Sequence, residues 1–114
     1  MTAVHDPQFF VCGDTWEMTG PLQDANGVPF NLAGASISWK LDSIDGATNF
    51  LSLAVGSGIQ VLDLTSATVL VTVSATQSES LTPGTYRDSL RVTLADGAKF
   101  TEWVGAITAT VDPK

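Results

Sequence analysis

The sequence contains very few of the residues that bind metals or act as nucleophiles. Its 114 residues include one cysteine, Cys12, and one histidine, His5. A zinc site needs three or four such ligands, and an internal disulfide needs a second cysteine. A serine or cysteine nucleophile needs a base, and His5 lies in the terminal segment. We therefore expect no catalytic residue, no metal and no cofactor, and we expect that the protein is not an enzyme.

Positive charge and long apolar runs are also scarce. Five Lys and Arg stand against twelve Asp and Glu, which gives a net charge of −7. A surface that follows a phosphate backbone needs more cations than this. No apolar run approaches the roughly 18 residues of a membrane span, and the N-terminus lacks the basic and apolar stretches of a signal peptide. These absences predict synthesis and folding in the cytoplasm, without binding to nucleic acid or membranes.

The residues that are abundant favour β-structure. Apolar residues make up 44% of the chain and charged residues 15%, which is typical of a folded domain rather than an acidic disordered tail. Val and Thr are frequent, and β-branched side chains suit a pleated sheet. The length fits one domain, so we interpret residues 1–114 as a single unit, with 1–7 as a loose N-terminal arm.

Alternating segments between turn signals predict seven to nine short strands. The first runs from 8 to 22, with interruptions at 13–14 and 20–21, and is expected to be an edge strand with a bulge or a break. Ser74 and Gln77 have the spacing of a capping box, which predicts one helical turn, and Gly105 predicts a bulge or bend. The remaining predicted strands are 35–41, 49–55, 59–64 paired with 69–74, 86–94, and 99–111.

The segment from Leu81 to Tyr86 has the spacing of a tyrosine corner, in which a Tyr hydroxyl bonds to the backbone a few residues upstream. Leu81 would cover the core and Gly84 would supply an unusual φ. With Trp39 central in an earlier strand, this predicts an immunoglobulin-like β-sandwich of short antiparallel strands rather than a barrel. The alternative is an ordinary loop before a strand that begins with Tyr.

Asp88 is an unusual residue in its predicted strand. Alternation places it on the apolar face with Tyr86 and Leu90. A buried carboxylate must be paired or hydrogen-bonded, so we expect contacts to backbone N–H groups, to Lys40 or to an Arg. The alternative is a bulge at 88–89 that turns Asp88 to solvent.

Aromatic residues are the candidates for a contact surface. Trp39 is interpreted as core, whereas Trp16 and Trp103 are either core or part of an outward patch. The adjacent Phe9 and Phe10 point to opposite faces of a strand, so one can enter the core while the other stays outside. In the last strand, Phe100 and Val104 are expected on one face and Trp103 on the other. The candidate surface therefore consists of Phe9, Phe10, Trp16, Phe100 and Trp103.

Several turn motifs, taken in order, resemble a family of tailed-phage virion domains. These motifs are Gly-Asp-Thr-Trp at 13–16, Asp-Ala-Asn-Gly-Val-Pro at 24–29, Asn-Leu-Ala-Gly-Ala at 31–35, the segment 81–90, and Asp-Gly at 96–97 with Gly105. In the order and spacing of these motifs, the chain is similar to the immunoglobulin-like N-terminal domain of phage baseplate upper proteins. Asp88 stands one residue earlier than in the family pattern.

The resemblance implies a non-catalytic structural protein, assembled in the host cytoplasm and placed on the virion at the baseplate, tail, neck or capsid. Its implied partners are other virion proteins, and it would form a homo-oligomer or a symmetric array as an adaptor or decoration protein. The alternative is a carbohydrate-binding module of the same fold, which would use an exposed Trp16 or Trp103 to stack on a sugar.

Overall fold

The described part of the protein is almost entirely β-structure, with nine strands and one short helix. The computed structural model describes residues 3–4, 8–24 and 26–110, and at Ala3, Val4 and Phe10 it describes the backbone alone. Within these ranges, no helix is long and apolar enough to cross a membrane. In chain order the elements are β1 (Ala3–Val4), β2 (Gln8–Val11), β3 (Trp16–Pro21), β4 (Ser36–Ser43), β5 (Asn49–Val55), β6 (Gly58–Asp63), β7 (Thr68–Val73), α1 (Ala75–Glu79), β8 (Gly84–Thr93) and β9 (Lys99–Thr110).

The strands form one hydrogen-bonded path that curls into two facing layers. The order is β1-β9-β8-β4-β5-β6-β7-β3, and β2 also pairs with β9. The corner between β5 and β6 contains Gly56 and Gly58, whose φ angles of 85° and 100° are readily adopted only by glycine. These two strands share only two residue pairs, so the chain bends sharply there towards the second layer.

Tryptophan contacts across the layers show that the sheet closes on itself as a sandwich. Trp16 lies on β3, at one end of the strand order, yet its ring centroid is 5.8 Å from that of Trp39 on β4. Trp103 on β9 lies against Gly20 of β3, where an added Cβ would be only 2.6 Å from Cζ2 of the indole. The apolar faces of strands far apart in the order therefore enclose one core, which confirms the predicted immunoglobulin-like β-sandwich.

The prediction that all strands are antiparallel was wrong at three pairings. Both β1 and β2 run parallel to β9, and β5 runs parallel to β6. The predicted interruption at 13–14 is a break, because the turn after Val11 separates β2 on β9 from β3 on β7. Within the predicted loose arm, Ala3 and Val4 pair with β9, while His5 and the rest of 1–7 lie outside the described residues.

The bulge in β9 lies at Glu102 and not at Gly105. Leu90 pairs with Trp103 and Arg91 pairs with Thr101, so Glu102 is the extra residue. Oε1 of Glu102 accepts a 2.9 Å hydrogen bond from the backbone N–H of Gln23, which gives this buried carboxylate a partner. Gly105 pairs regularly with Asp88.

The capping box predicted at Ser74 is confirmed. The Ser74 hydroxyl accepts from the Gln77 N–H, and the Gln77 side chain accepts from the Ser74 N–H. One turn later, Ser78 is fully buried, and its Oγ donates to the carbonyl of Asp14 and accepts from the N–H of Gly13. The helix is thereby attached to the turn that separates β2 from β3.

Candidate contact surfaces

The tyrosine corner predicted from the 81–86 segment is present. The Tyr86 hydroxyl donates a hydrogen bond to the carbonyl of Thr82, and Tyr86 and Leu81 are both buried. Gly84 has a positive φ of 158°. Burial raises the pKa of Tyr86 because the charged phenolate would lose hydration there. The corner is a structural feature that fixes the start of β8, because its hydrogen bond joins the first buried residue of that strand to the turn before it.

Asp88 is buried as alternation predicted, and it has a hydrogen-bond partner that the sequence did not predict. Its Oδ2 accepts a 2.9 Å hydrogen bond from Nε1 of Trp39. The strand is regular at this point, pairing Asp88 with Leu41 on one side and Gly105 on the other. The alternative of a bulge at 88–89 is therefore wrong, and Asp88 belongs to the core with Trp39.

The structure removes two tryptophans from the candidate contact surface. Trp16 is 9% exposed and Trp103 is 8% exposed, and both belong to the hydrophobic core. The bulge at Glu102 also places Trp103 on the same face as Phe100, since they oppose Leu90 and Val92 respectively. The expected separation of Trp103 from Phe100 was therefore wrong, because one inserted residue reverses the alternation.

The phenylalanines of the candidate surface lie at two separate places. Phe9 is 66% exposed on β2 and pairs with Thr108, near the end of β9. Phe100 is near the start of β9, about 25 Å away at the usual rise of a strand. Its ring stacks on Phe30 with a centroid distance of 5.0 Å and remains 38% exposed. The side chain of Phe10 lies outside the described residues.

A polar groove crosses the outer face of β4 and β8. It has a volume of about 250 Å³ and is lined by Ser38, Lys40, Asp42, Arg87, Ser89 and Arg91. The pairing register sets Asp42 opposite Arg87, Lys40 opposite Ser89, and Ser38 opposite Arg91. We call this the β4–β8 groove.

One end of the β4–β8 groove carries additional negative charge. Oδ1 of Asp42 accepts a 2.9 Å hydrogen bond from Nδ2 of Asn49 on β5. Asp45 lies in the β4–β5 loop, where a hydrogen bond from the Ser43 hydroxyl, another from the Ala47 N–H and the nearby charge of Arg87 lower its pKa. Arg87 therefore faces carboxylates at its end of the groove, whereas the lining at Lys40 and Arg91 contains none.

Sequence reasoning missed the β4–β8 groove, together with the buried Ser78 and Glu102. The alternation of β4 and β8 already placed Lys40, Arg87 and Arg91 on polar faces. Alternation alone does not give the pairing register, and it is the register that brings the polar faces of β4 and β8 side by side. The burial of Glu102 has no local signal, because it depends on a bulge and on the distant Gln23.

No known protein family and no curated protein matches the sequence. Several solved structures have a similar shape, and three of them illustrate it. CopC from Methylosinus trichosporium OB3b has a TM-score of 0.49 at 13% identity, over 95% of this chain and 87% of CopC. AggA, the major subunit of aggregative adherence fimbriae type I from Escherichia coli, gives 0.42 at 16% identity, over 96% and 99% of the two chains. A family 123 glycoside hydrolase from Clostridium perfringens gives 0.40 at 14% identity, over 96% of this chain and 24% of the enzyme. None of these likenesses bears on what the protein does.

Proposed function

We propose that the protein is a non-catalytic structural component of a phage particle, an adaptor of the baseplate or tail or a decoration protein, which acts by docking to other virion proteins. Its place on a phage rests on the sequence resemblance of the turn motifs at 13–16, 24–29 and 81–90. Its mode of action rests on the exposed aromatic side chains. A component of this kind is used in many copies, so the proposal includes a homo-oligomer or a symmetric array.

The single observation that carries the docking proposal is the position of Phe9. It is 66% exposed on β2, and within the described ranges β2 pairs only with β9. An edge strand offers unpaired backbone N–H and C=O groups to a neighbouring chain. An exposed aromatic ring beside such an edge is the kind of anchor that protein interfaces use. The edge at β2 can therefore provide both main-chain hydrogen bonds and an apolar anchor.

The stacked pair of Phe30 and Phe100 gives a second, smaller apolar surface at the other end of β9. The alternative function, a carbohydrate-binding module, depended on Trp16 or Trp103 as an exposed platform. Both are buried in the core, so neither indole face is available for a sugar. This observation supports protein docking over that form of sugar binding.

Docking through Phe9 is tested by comparing Phe9→Ser with Leu64→Ser. Leu64, in the β6–β7 loop, is also 66% exposed, so the two changes remove similar apolar surface. We expect multi-angle light scattering to show an oligomer for the unaltered protein and for L64S, and a monomer for F9S. A strict monomer at high concentration for the unaltered protein, or equal loss in both variants, would reject docking through this edge.

The phage assignment is tested separately by mass spectrometry of purified particles from the source strain after induction. We expect the protein at a constant ratio to the major virion proteins after density-gradient purification. Its absence from particles, while it is abundant in the lysate, would reject the virion role. A glycan array with specific binding lost in a Trp variant would instead support the carbohydrate alternative.

A further inference from the structure

The cations of this acidic protein are concentrated on one face. Three of its five Lys and Arg residues, namely Lys40, Arg87 and Arg91, line the β4–β8 groove. Among the acidic residues that the structure describes, only Asp42 lines the same groove. The local charge is therefore opposite in sign to the net charge of −7. Such a reversal creates a positive potential that attracts an anion to this place on the surface.

We propose that the β4–β8 groove binds an acidic segment of a partner protein, in an extended conformation, through carboxylates that alternate along the segment. This inference concerns a surface separate from Phe9 and does not depend on a virion location. Lys40 and Arg91 are the main contacts, and the Ser38 and Ser89 hydroxyls between them are additional donors.

The spacing of the cations fits an extended peptide. Lys40 faces Ser89, two residues from Arg91 on β8, so Lys40 and Arg91 are diagonal neighbours on one face. Diagonal neighbours in an antiparallel pair are about 7–8 Å apart at their Cα atoms. Side chains on one face of an extended chain repeat about every 6.7 Å. Two acidic residues separated by one residue can therefore reach Lys40 and Arg91 at the same time.

The floor of the groove allows a chain to lie across it. Ser38 and Ser89 are small, and the neighbouring strands continue the floor with Ser52 opposite Lys40 and Val104 opposite Ser89. No bulky side chain stands among the residues that line it, apart from the flexible cations and Asp42. Asp42 and the nearby Asp45 repel an anion from the Arg87 end, which directs the carboxylates towards Lys40 and Arg91.

Two other anionic occupants fit less well. A nucleic acid presents a long row of phosphates, and it would extend from three cations into an otherwise acidic surface. A second copy of this chain lacks the required pattern, because no two of its acidic residues are two or four positions apart. A separate protein with alternating acidic residues fits both the charge and the spacing.

The proposal is tested with a fluorescent peptide in which glutamate alternates with serine, and with its glutamine counterpart. Fluorescence anisotropy at low ionic strength measures the affinity of each peptide for the purified full chain. We expect the glutamate peptide to bind and the glutamine peptide not to bind. Binding should weaken as salt is added, because these side chains are exposed and their charges are screened.

Matched substitutions separate a site from general charge attraction. Lys40→Gln and Arg91→Gln should each weaken binding about three- to tenfold, because each removes one charged contact. Lys99→Gln changes the net charge equally at an exposed position outside the groove, and it should leave the affinity unchanged. Asp42→Asn should strengthen binding severalfold, since it removes the one carboxylate of the lining. An increase in affinity cannot be attributed to misfolding.

Each remaining outcome contradicts the proposal. Equal weakening by K99Q and K40Q would show that only the net charge matters. Failure of the glutamate peptide to bind would overturn the site, as would binding of a single-stranded oligothymidine in its place. Inorganic phosphate that binds with the same affinity as the peptide would indicate a small-anion site and not a docking surface for a polypeptide.

Discussion

Trp39 and Asp88 are diagonal neighbours on β4 and β8, and the indole N–H of one donates a 2.9 Å hydrogen bond to the carboxylate of the other. Trp39 is fully buried and Asp88 is 2% exposed. Gly105 stands opposite Asp88 on β9 and has no side chain there. The hydrogen bond places one polar pair among apolar core residues and links the two central strands through their side chains as well as their backbones.

Replacing Asp88 tests the contribution of this pair. Asp88→Ala leaves the buried indole N–H without its acceptor, and we expect the free energy of unfolding to fall by about 1–3 kcal/mol. Asp88→Asn retains an oxygen that can accept the bond and should cost less. Urea denaturation measures both, with the exposed strand residue Glu17→Ala as a control expected to stay within about 0.5 kcal/mol. Equal stability of D88A and E17A would show that the hydrogen bond contributes nothing.

Replacing Tyr86 tests the tyrosine corner. If the carbonyl that accepts this hydrogen bond were buried, as the sequence alone suggests, Tyr86→Phe would lower the free energy of unfolding by about 1–3 kcal/mol. Because Thr82 is exposed, water can replace the lost donor at its carbonyl, and we now expect a loss of about 0.5–1.5 kcal/mol. Thr82→Ala keeps the carbonyl and serves as the control, with little change expected. A Y86F variant as stable as the unaltered protein in urea would mean that the corner hydrogen bond has no net value.

The raised pKa of Tyr86 leads us to expect a loss of stability at alkaline pH. Its pKa in the folded protein is raised above the ordinary value of 10.0, mainly by burial. The unfolded chain therefore releases this proton first, and the folded state binds more protons between the two pKa values. The contribution of Tyr86 to the free energy of unfolding is therefore fully present below about pH 10, and it is lost as the pH rises through the pKa of Tyr86 in the folded protein. Unfolding measured at a series of pH values should show this decline, and Y86F should lack the part due to Tyr86. An identical decline in Y86F would contradict the assignment.

The contact between Gly20 and Trp103 predicts a steric effect at a glycine. An added Cβ at Gly20 would lie 2.6 Å from Cζ2 of Trp103, and Gly20 has no positive φ that would strain another residue. We therefore expect Gly20→Ala to lower the free energy of unfolding by about 1–3 kcal/mol, by overpacking alone.

A double variant distinguishes this steric effect from a general cost of changing Gly20. Trp103→Phe removes the ring that contains Cζ2, so the alanine should cost less in that background than in the unaltered protein. The difference is the coupling energy of a double-mutant cycle. Additive effects of the two substitutions would contradict direct contact between positions 20 and 103.

Local sequence determined the features that depend on neighbouring residues. Alternation identified the strands and placed Asp88 on the buried face, and the spacing of Ser74 and Gln77 gave the capping box. The segment from Leu81 to Tyr86 gave the corner, because its hydrogen bond spans only four residues. These features follow from strand periodicity, turn chemistry and capping, each of which acts over a few residues.

Features that join distant parts of the chain could not be predicted in this way. The parallel pairing of β2 with β9 and the contact of the Glu102 carboxylate with Gln23 depend on how the sheet is assembled from distant segments. The contact of Asp88 with Trp39 depends on the register of β4 against β8. The bulge at Glu102 changed the face of every residue on one side of it, so Phe100 and Trp103 came together where simple alternation had separated them.

The sequence by itself therefore determined an all-β domain with a tyrosine corner, and it supplied the aromatic and charged residues from which any surface must be built. Only the tertiary structure decided which of those residues are available. It buried Trp16 and Trp103, left Phe9 exposed on an edge, and aligned Lys40 with Arg91 across two strands. The physical reason is that burial and charge proximity depend on pairing register and layer closure, which arise from contacts between residues far apart in the chain.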